Sequence, residues 1–126
     1  MMSGNPPRVL TDRSVLIVED QYLIADDMRL MVERLGGRVV GPVSHVPAAI
    51  AALAEDKPDL ALLDVNLDGE EVYAVAEALR AAQVPFLFTT GYDPWTIDPR
   101  FSEAPHLEKP IGMPALMTAL RDLNLA

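Results

Sequence analysis

Leu60-Ala61-Leu62-Leu63-Asp64 sets four apolar residues in a row and ends them on a carboxylate. The same construction recurs along the chain. Val15-Leu16-Ile17-Val18 runs into Glu19-Asp20, Phe86-Leu87-Phe88 into Thr89-Thr90, and Leu107-Glu108 into Lys109-Pro110. Short unbroken apolar runs suit strands buried on both faces of a parallel sheet. Between them the period becomes helical. Ile24, Met28, Met31 and Leu35 give one apolar face within Gln21–Leu35, and Gly36-Gly37 closes that helix.

The rest of the chain follows the same alternation. Arg38–Val43 reads as a second strand, and Pro47 opens a helix that runs to about Asp56. Asp59–Asp64 is the third strand. Glu70–Ala82 reads as a helix with Val72, Val75, Ala76 and Leu79 toward the sheet. Val84–Thr90 is the fourth strand and His106–Lys109 the fifth. Pro114–Leu123 is a final helix with Leu116, Leu120 and Leu123 facing in. Pro94, Pro99 and Pro105 oppose a regular helix across Asp93–Pro105, so the fourth helix should be short and irregular. This order predicts an α/β, doubly wound parallel sheet with helices on both faces.

The chain has 126 residues, half of them hydrophobic, which fits one domain with a real core. We expect a flexible lead-in over residues 1–13, with Ser3, Gly4, Asn5, Pro6 and Pro7, then one domain over 14–126 and no output domain. No apolar stretch nears the roughly 20 residues of a membrane span, and the start lacks a signal-peptide core. Cysteine is absent, which excludes disulfides and thiolate metal sites. The expected location is cytoplasmic, without membrane insertion. A net charge of −9 argues against a nucleic-acid partner, because phosphate contacts need clustered Lys and Arg.

In open α/β sheets ligands bind outside the carboxyl ends of the strands. Glu19, Asp20 and Asp64 fall there and offer hard oxygen ligands for Mg²⁺, with Mn²⁺ as the alternative. A carboxylate such as Asp64 can attack phosphorus, and Lys109 and Thr90 can bind phosphoryl oxygens. Singly, each residue is ordinary: a Lys before Pro is usually a surface loop. Their joint placement is specific.

Over about residues 14–124 the chain resembles the receiver domain of two-component response regulators. The resemblance implies a flavodoxin-like sheet of order 2-1-3-4-5. It implies an acidic metal pair at Glu19 and Asp20, a phospho-acceptor at Asp64, and a backbone carbonyl of Asn66 completing the metal shell. Thr90 is then the switch hydroxyl, and Lys109-Pro110 the Lys-Pro signature. Phe88-Thr89-Thr90-Gly91-Tyr92 is similar to the Phe-Ala-Thr-Gly-Tyr signature of a subgroup of single-domain regulators often tied to general stress signalling, with Thr89 in place of Ala. A histidine kinase or phosphotransfer protein is the implied donor, and a downstream protein the implied reader. A phosphate-sink role would use the same site.

Such a domain is a switch rather than an enzyme, catalysing only its own phosphoryl transfer and slow autodephosphorylation. Three departures bear on the switch surface. His106 stands where many receivers carry an aromatic residue, Asp68-Gly69 replaces the usual Pro, and proline breaks the segment carrying Trp95, Ile97 and Phe101. Tyr92, Trp95, His106 and Pro110 are the expected switch-surface residues, with Tyr92 at the mouth of the site. The competing readings are a phosphatase of the haloacid dehalogenase type, which wants Asp where Asn66 stands, and an interaction module that is never phosphorylated.

Overall fold

Parallel pairing organises the chain in this computed structural model, which describes residues 7–67, 70–91 and 97–125. The elements are β1 (Ser14–Val18), α1 (Tyr22–Arg34), β2 (Arg38–Val43), α2 (Val46–Glu55) and β3 (Leu60–Asp64). Then come β4 (Asn66–Leu67), β5 (Glu70–Glu71), α3 (Tyr73–Ala81), β6 (Phe86–Thr90), β7 (His106–Glu108) and α4 (Met113–Asp122). Five strands form one parallel sheet of order β2-β1-β3-β6-β7. The expected flavodoxin-like class holds. Counted by themselves in chain order these five read 2-1-3-4-5, and the labels shift because β4 and β5 pair antiparallel in a separate ribbon.

Every residue of β1, β3 and β6 is buried, which explains why those runs show no polar alternation. Two apolar layers sandwich the sheet. Leu16, Val18, Ala61, Leu63, Phe86 and Phe88 pack toward α2 and α3, with Ala49, Val75, Ala76 and Leu79. Val15, Ile17, Leu60, Leu62, Leu87 and Leu107 pack toward α1 and α4, with Met28, Val32, Leu116 and Leu120. Helix α1 ends as its glycines predict. Gly36 takes φ +90°, and the Gly36 and Gly37 N–H groups donate to Glu33 O and Val32 O at 3.0 and 2.9 Å.

Two sequence expectations for the helices shift. The buried line of α1 is Ala25, Met28 and Val32, continued by Leu35, with Ile24 and Met31 half-buried beside it. Helix α3 starts at Tyr73, because Glu70–Glu71 pairs back onto Asn66–Leu67 instead of joining the helix. Between β6 and β7 the described residues hold one 3-10 turn, Pro99–Phe101, in keeping with the proline count. Its Phe101 is 1% exposed and stacks on Tyr73 at 5.6 Å, so this aromatic serves the core. Tyr92 and Trp95, with Asp68 and Gly69, lie outside the described residues.

The lead-in is also shorter than expected at its inner end. Leu10 is fully buried against the α1 and α4 layer, and its N–H donates to Leu35 O at 2.8 Å. An apolar side chain in that position anchors residues 8–13 as turns. Leu10→Ala should therefore cost about 2–4 kcal/mol of unfolding free energy in urea titrations. A loss well under 1 kcal/mol would show that this segment contributes nothing to the core.

Candidate functional site

Four strand ends bring the polar residues together. Glu19 and Asp20 follow β1, Asp64 closes β3, Thr90 closes β6 and Lys109 follows β7. The path of each is set by backbone pairing. Gly41, at φ +92°, accompanies a register shift in the β1–β2 pairing, after which Glu19 N–H donates to Val43 O at 2.9 Å. Lys109 N–H donates to Thr90 O at 2.8 Å and extends the β6–β7 ladder past its last strand residue. The Lys109–Pro110 peptide bond is cis.

The Lys109 ammonium sits between two carboxylates. Its Nζ is 2.8 Å from Glu19 Oε1 and 3.2 Å from Asp64 Oδ1. All three side chains are nearly out of water, so this contact is far less screened than a surface pair. Backbone donors fix the carboxylates further. Gln21 N–H donates to Glu19 Oε2 at 3.0 Å, and Asn66 N–H to Asp64 Oδ1 at 3.2 Å. Burial, reinforced by the Glu19 charge, pushes the Asp64 carboxyl up from 3.8 to about 7, against the opposing pull of Lys109 and the Asn66 N–H.

One carboxylate oxygen from each of Glu19, Asp20 and Asp64 lies within 4.8 Å of the other two. Asp20 Oδ1 is buried and has no hydrogen-bond partner among the described residues. A cluster of hard anionic oxygens that includes an unsatisfied buried one fits a hard divalent cation. A cleft of about 310 Å³ opens beside it, lined by Glu19, Asp20, Tyr22 and Arg29 among others.

The structure thus brings together Glu19, Asp20, Asp64 and Lys109, with Asn66 bonded to Asp64 through its backbone. Thr90 is 3% exposed, and its Oγ1 has no partner among the described residues. His106 is exposed on β7, and Pro110 is exposed just beyond it. Sequence reasoning passed over Thr89, which is fully buried and also carries an unpartnered hydroxyl. Its place beside Thr90, at the end of an apolar run, was the available signal.

The response regulator receiver domain family matches residues 15–121. The chain belongs to that family. Among solved structures, this receiver is similar to SdrG from Sphingomonas melonis Fr1, at 42% identity and a TM-score of 0.82, covering 92% of this chain and 98% of that one. The BeF3-activated conformation of SdrG matches at 40% identity and a TM-score of 0.76, over 97% of this chain and 98% of that one. Among curated proteins, the phyllosphere-induced regulator PhyR of Methylorubrum extorquens is 40% identical over 81 residues, 62% of this chain and 30% of PhyR. The sensory transduction protein LytT of Bacillus subtilis is 30% identical over 86 residues, 66% of this chain and 36% of LytT. The chain therefore spans about a third of the length of these curated relatives.

The raised Asp64 value has a consequence for stability. In the unfolded chain the carboxyl returns to about 3.8, so between that value and about 7 the folded state holds the extra proton. Stability then falls as pH rises through that window. In metal-free buffer, Asp64→Asn should stabilise the fold on the order of 1–3 kcal/mol at pH 8 and hardly at all at pH 4. Equal gains at the two pH values in chemical denaturation would contradict this account of Asp64.

Proposed function

We propose that this receiver is a phospho-accepting switch in which Asp64 takes a phosphoryl group from a histidine kinase or phosphotransfer protein. The observation that carries the reading is the buried Asp64 carboxylate, clamped by Lys109 beside two further acids. An Asp64 oxygen attacks phosphorus as the phosphorus–nitrogen bond of the donor phosphohistidine breaks. The bonding pair leaves on the imidazole nitrogen, which takes up a proton. Phosphoryl transfer depends mainly on positioning and charge neutralisation, which is what this arrangement offers.

Glu19, Asp20, Asp64 and the Asn66 carbonyl would hold Mg²⁺, and Mn²⁺ suits the same oxygens. Held there, the cation would supply positive charge to offset that of the phosphoryl group. Lys109 supplies a fixed positive charge, and the Thr90 hydroxyl a hydrogen-bond donor. Readout passes to a downstream protein through the β7 side of the domain, where His106 and Pro110 are exposed. The same site serves equally to drain phosphoryl groups from a shared donor. Autodephosphorylation is slow turnover by water, so the domain acts as a switch and not as a phosphatase. Asn66 stands where a haloacid-dehalogenase-type phosphatase would need its acid.

Similarity to SdrG and PhyR supports a role in stress signalling; one similar structure is of the "PhyR stress response regulator". Among the described residues no helix is long and apolar enough to cross a membrane.

Incubation with acetyl phosphate and Mg²⁺ tests the reading by intact mass. The wild type should gain one phosphoryl group, Asp64→Asn none, and Lys109→Ala should label at least tenfold more slowly, roughly the loss of one charged contact. Labelling of Asp64→Asn at the wild-type level would overturn the assignment.

A further inference from the structure

One buried polar group beside the site engages none of its neighbours among the described residues. Thr89 is fully buried, and its Oγ1 lacks a hydrogen-bond partner among the described residues. Buried hydroxyls nearly always find a partner, because an unpaired one gives up its bonds to water for nothing. Valine has almost the same shape and would carry no such penalty. An unpaired hydroxyl in this state of the molecule points to a partner in another.

Strand parity places that hydroxyl. Side chains alternate between the two faces of a strand. Ile17, Leu62, Leu87 and Leu107 all pack in the layer against α1 and α4. Glu19, Asp64, Thr89 and Lys109 each lie two residues further along and so share that face. Asp64 and Thr89 are direct neighbours across the β3–β6 pairing. Lys109 begins beyond the end of β7, on the far side of β6, yet its Nζ reaches both Asp64 and Glu19. Its side chain therefore crosses β6 on the face that carries Thr89. Thr90 follows the opposite parity, with Phe88.

An ammonium has three donors, and here two charged partners engage it, Glu19 Oε1 and Asp64 Oδ1. A phosphoryl group on Asp64 brings new negative charge to one side of that ammonium. We infer that Thr89 is a positioning residue for Lys109: its hydroxyl accepts an N–H from the ammonium when Lys109 turns from Glu19 to the phosphoryl group on Asp64. The hydroxyl is unpaired before modification and paired after it, so it favours the modified state. This inference rests on Asp64 being the phospho-acceptor.

Thr89→Val and Thr89→Ser separate the role from packing. Three quantities are measured: the melting temperature of the unmodified protein, the rate of labelling by acetyl phosphate with Mg²⁺, and the Lys109 ammonium ¹⁵N signal after labelling. Thr89→Val should melt higher than wild type yet label about tenfold more slowly, with a shifted Lys109 signal. Thr89→Ser, which keeps the hydroxyl, should label within about twofold of wild type. Wild-type labelling and an unmoved Lys109 signal in Thr89→Val would overturn the inference, as would equal slowing in both variants. A wild type that takes no phosphoryl group at all would instead overturn the function of Asp64 and this inference with it.

Discussion

The Lys109 ammonium between Glu19 and Asp64 is the contact on which the rest of the site depends. Two carboxylates this close and this buried would repel each other and resist ionisation. One cation shared between them makes the pair tolerable. Even so, burial and the neighbouring Glu19 leave Asp64 with a carboxyl near 7. The free site therefore holds more negative charge than it compensates comfortably. A divalent cation or a cationic rearrangement relieves it, and that imbalance makes the site responsive.

The fold exists around that contact in a concrete sense. Glu19, Asp64 and Lys109 come from three parts of the chain and meet only because β1, β3, β6 and β7 are laid in parallel with their carboxyl ends together. The register shift at Gly41 and the Glu19–Val43 bond fix one wall. The extension of the β6–β7 ladder through Lys109 fixes the other. Aromatic packing of Tyr73, Phe86, Phe88 and Phe101 stiffens the face of β6 that Thr90 shares, opposite to the face that carries Thr89. Arg80 lies over the Phe101 ring at 4.5 Å and pairs with Glu103, while Arg100 pairs with Glu77 and Asp98. These contacts tie the 3-10 turn and Glu103 to α3.

Much of this was legible in the sequence because burial on both faces leaves a distinctive mark. The runs ending at Asp64 and Thr90 could only be central strands, and their terminal residues could only meet at one sheet edge. Thr89 reads as one more strand residue until the alternating layers assign it to the Asp64 face. Leu10 sits in a stretch with no period, so nothing local announces that it fills a hole beside Leu35. Glu70 and Glu71 have good helix propensity, and pairing with Asn66–Leu67 overrides it. On α1 the buried line passes through the small Ala25 while Ile24 and Met31 stay half-buried, and the spacing of large side chains alone does not mark it.

The central claim is that phosphoryl transfer is confined to the carboxylate that Lys109 holds. The most direct measurement is chemical mapping of the linkage. The chain is labelled by a phosphodonor with Mg²⁺, reduced with borohydride to convert an acyl phosphate to its alcohol, digested and sequenced by mass spectrometry. The account predicts homoserine at position 64 and at no other aspartate. Reduction products at Asp20 or another carboxylate, with position 64 unchanged, would contradict it.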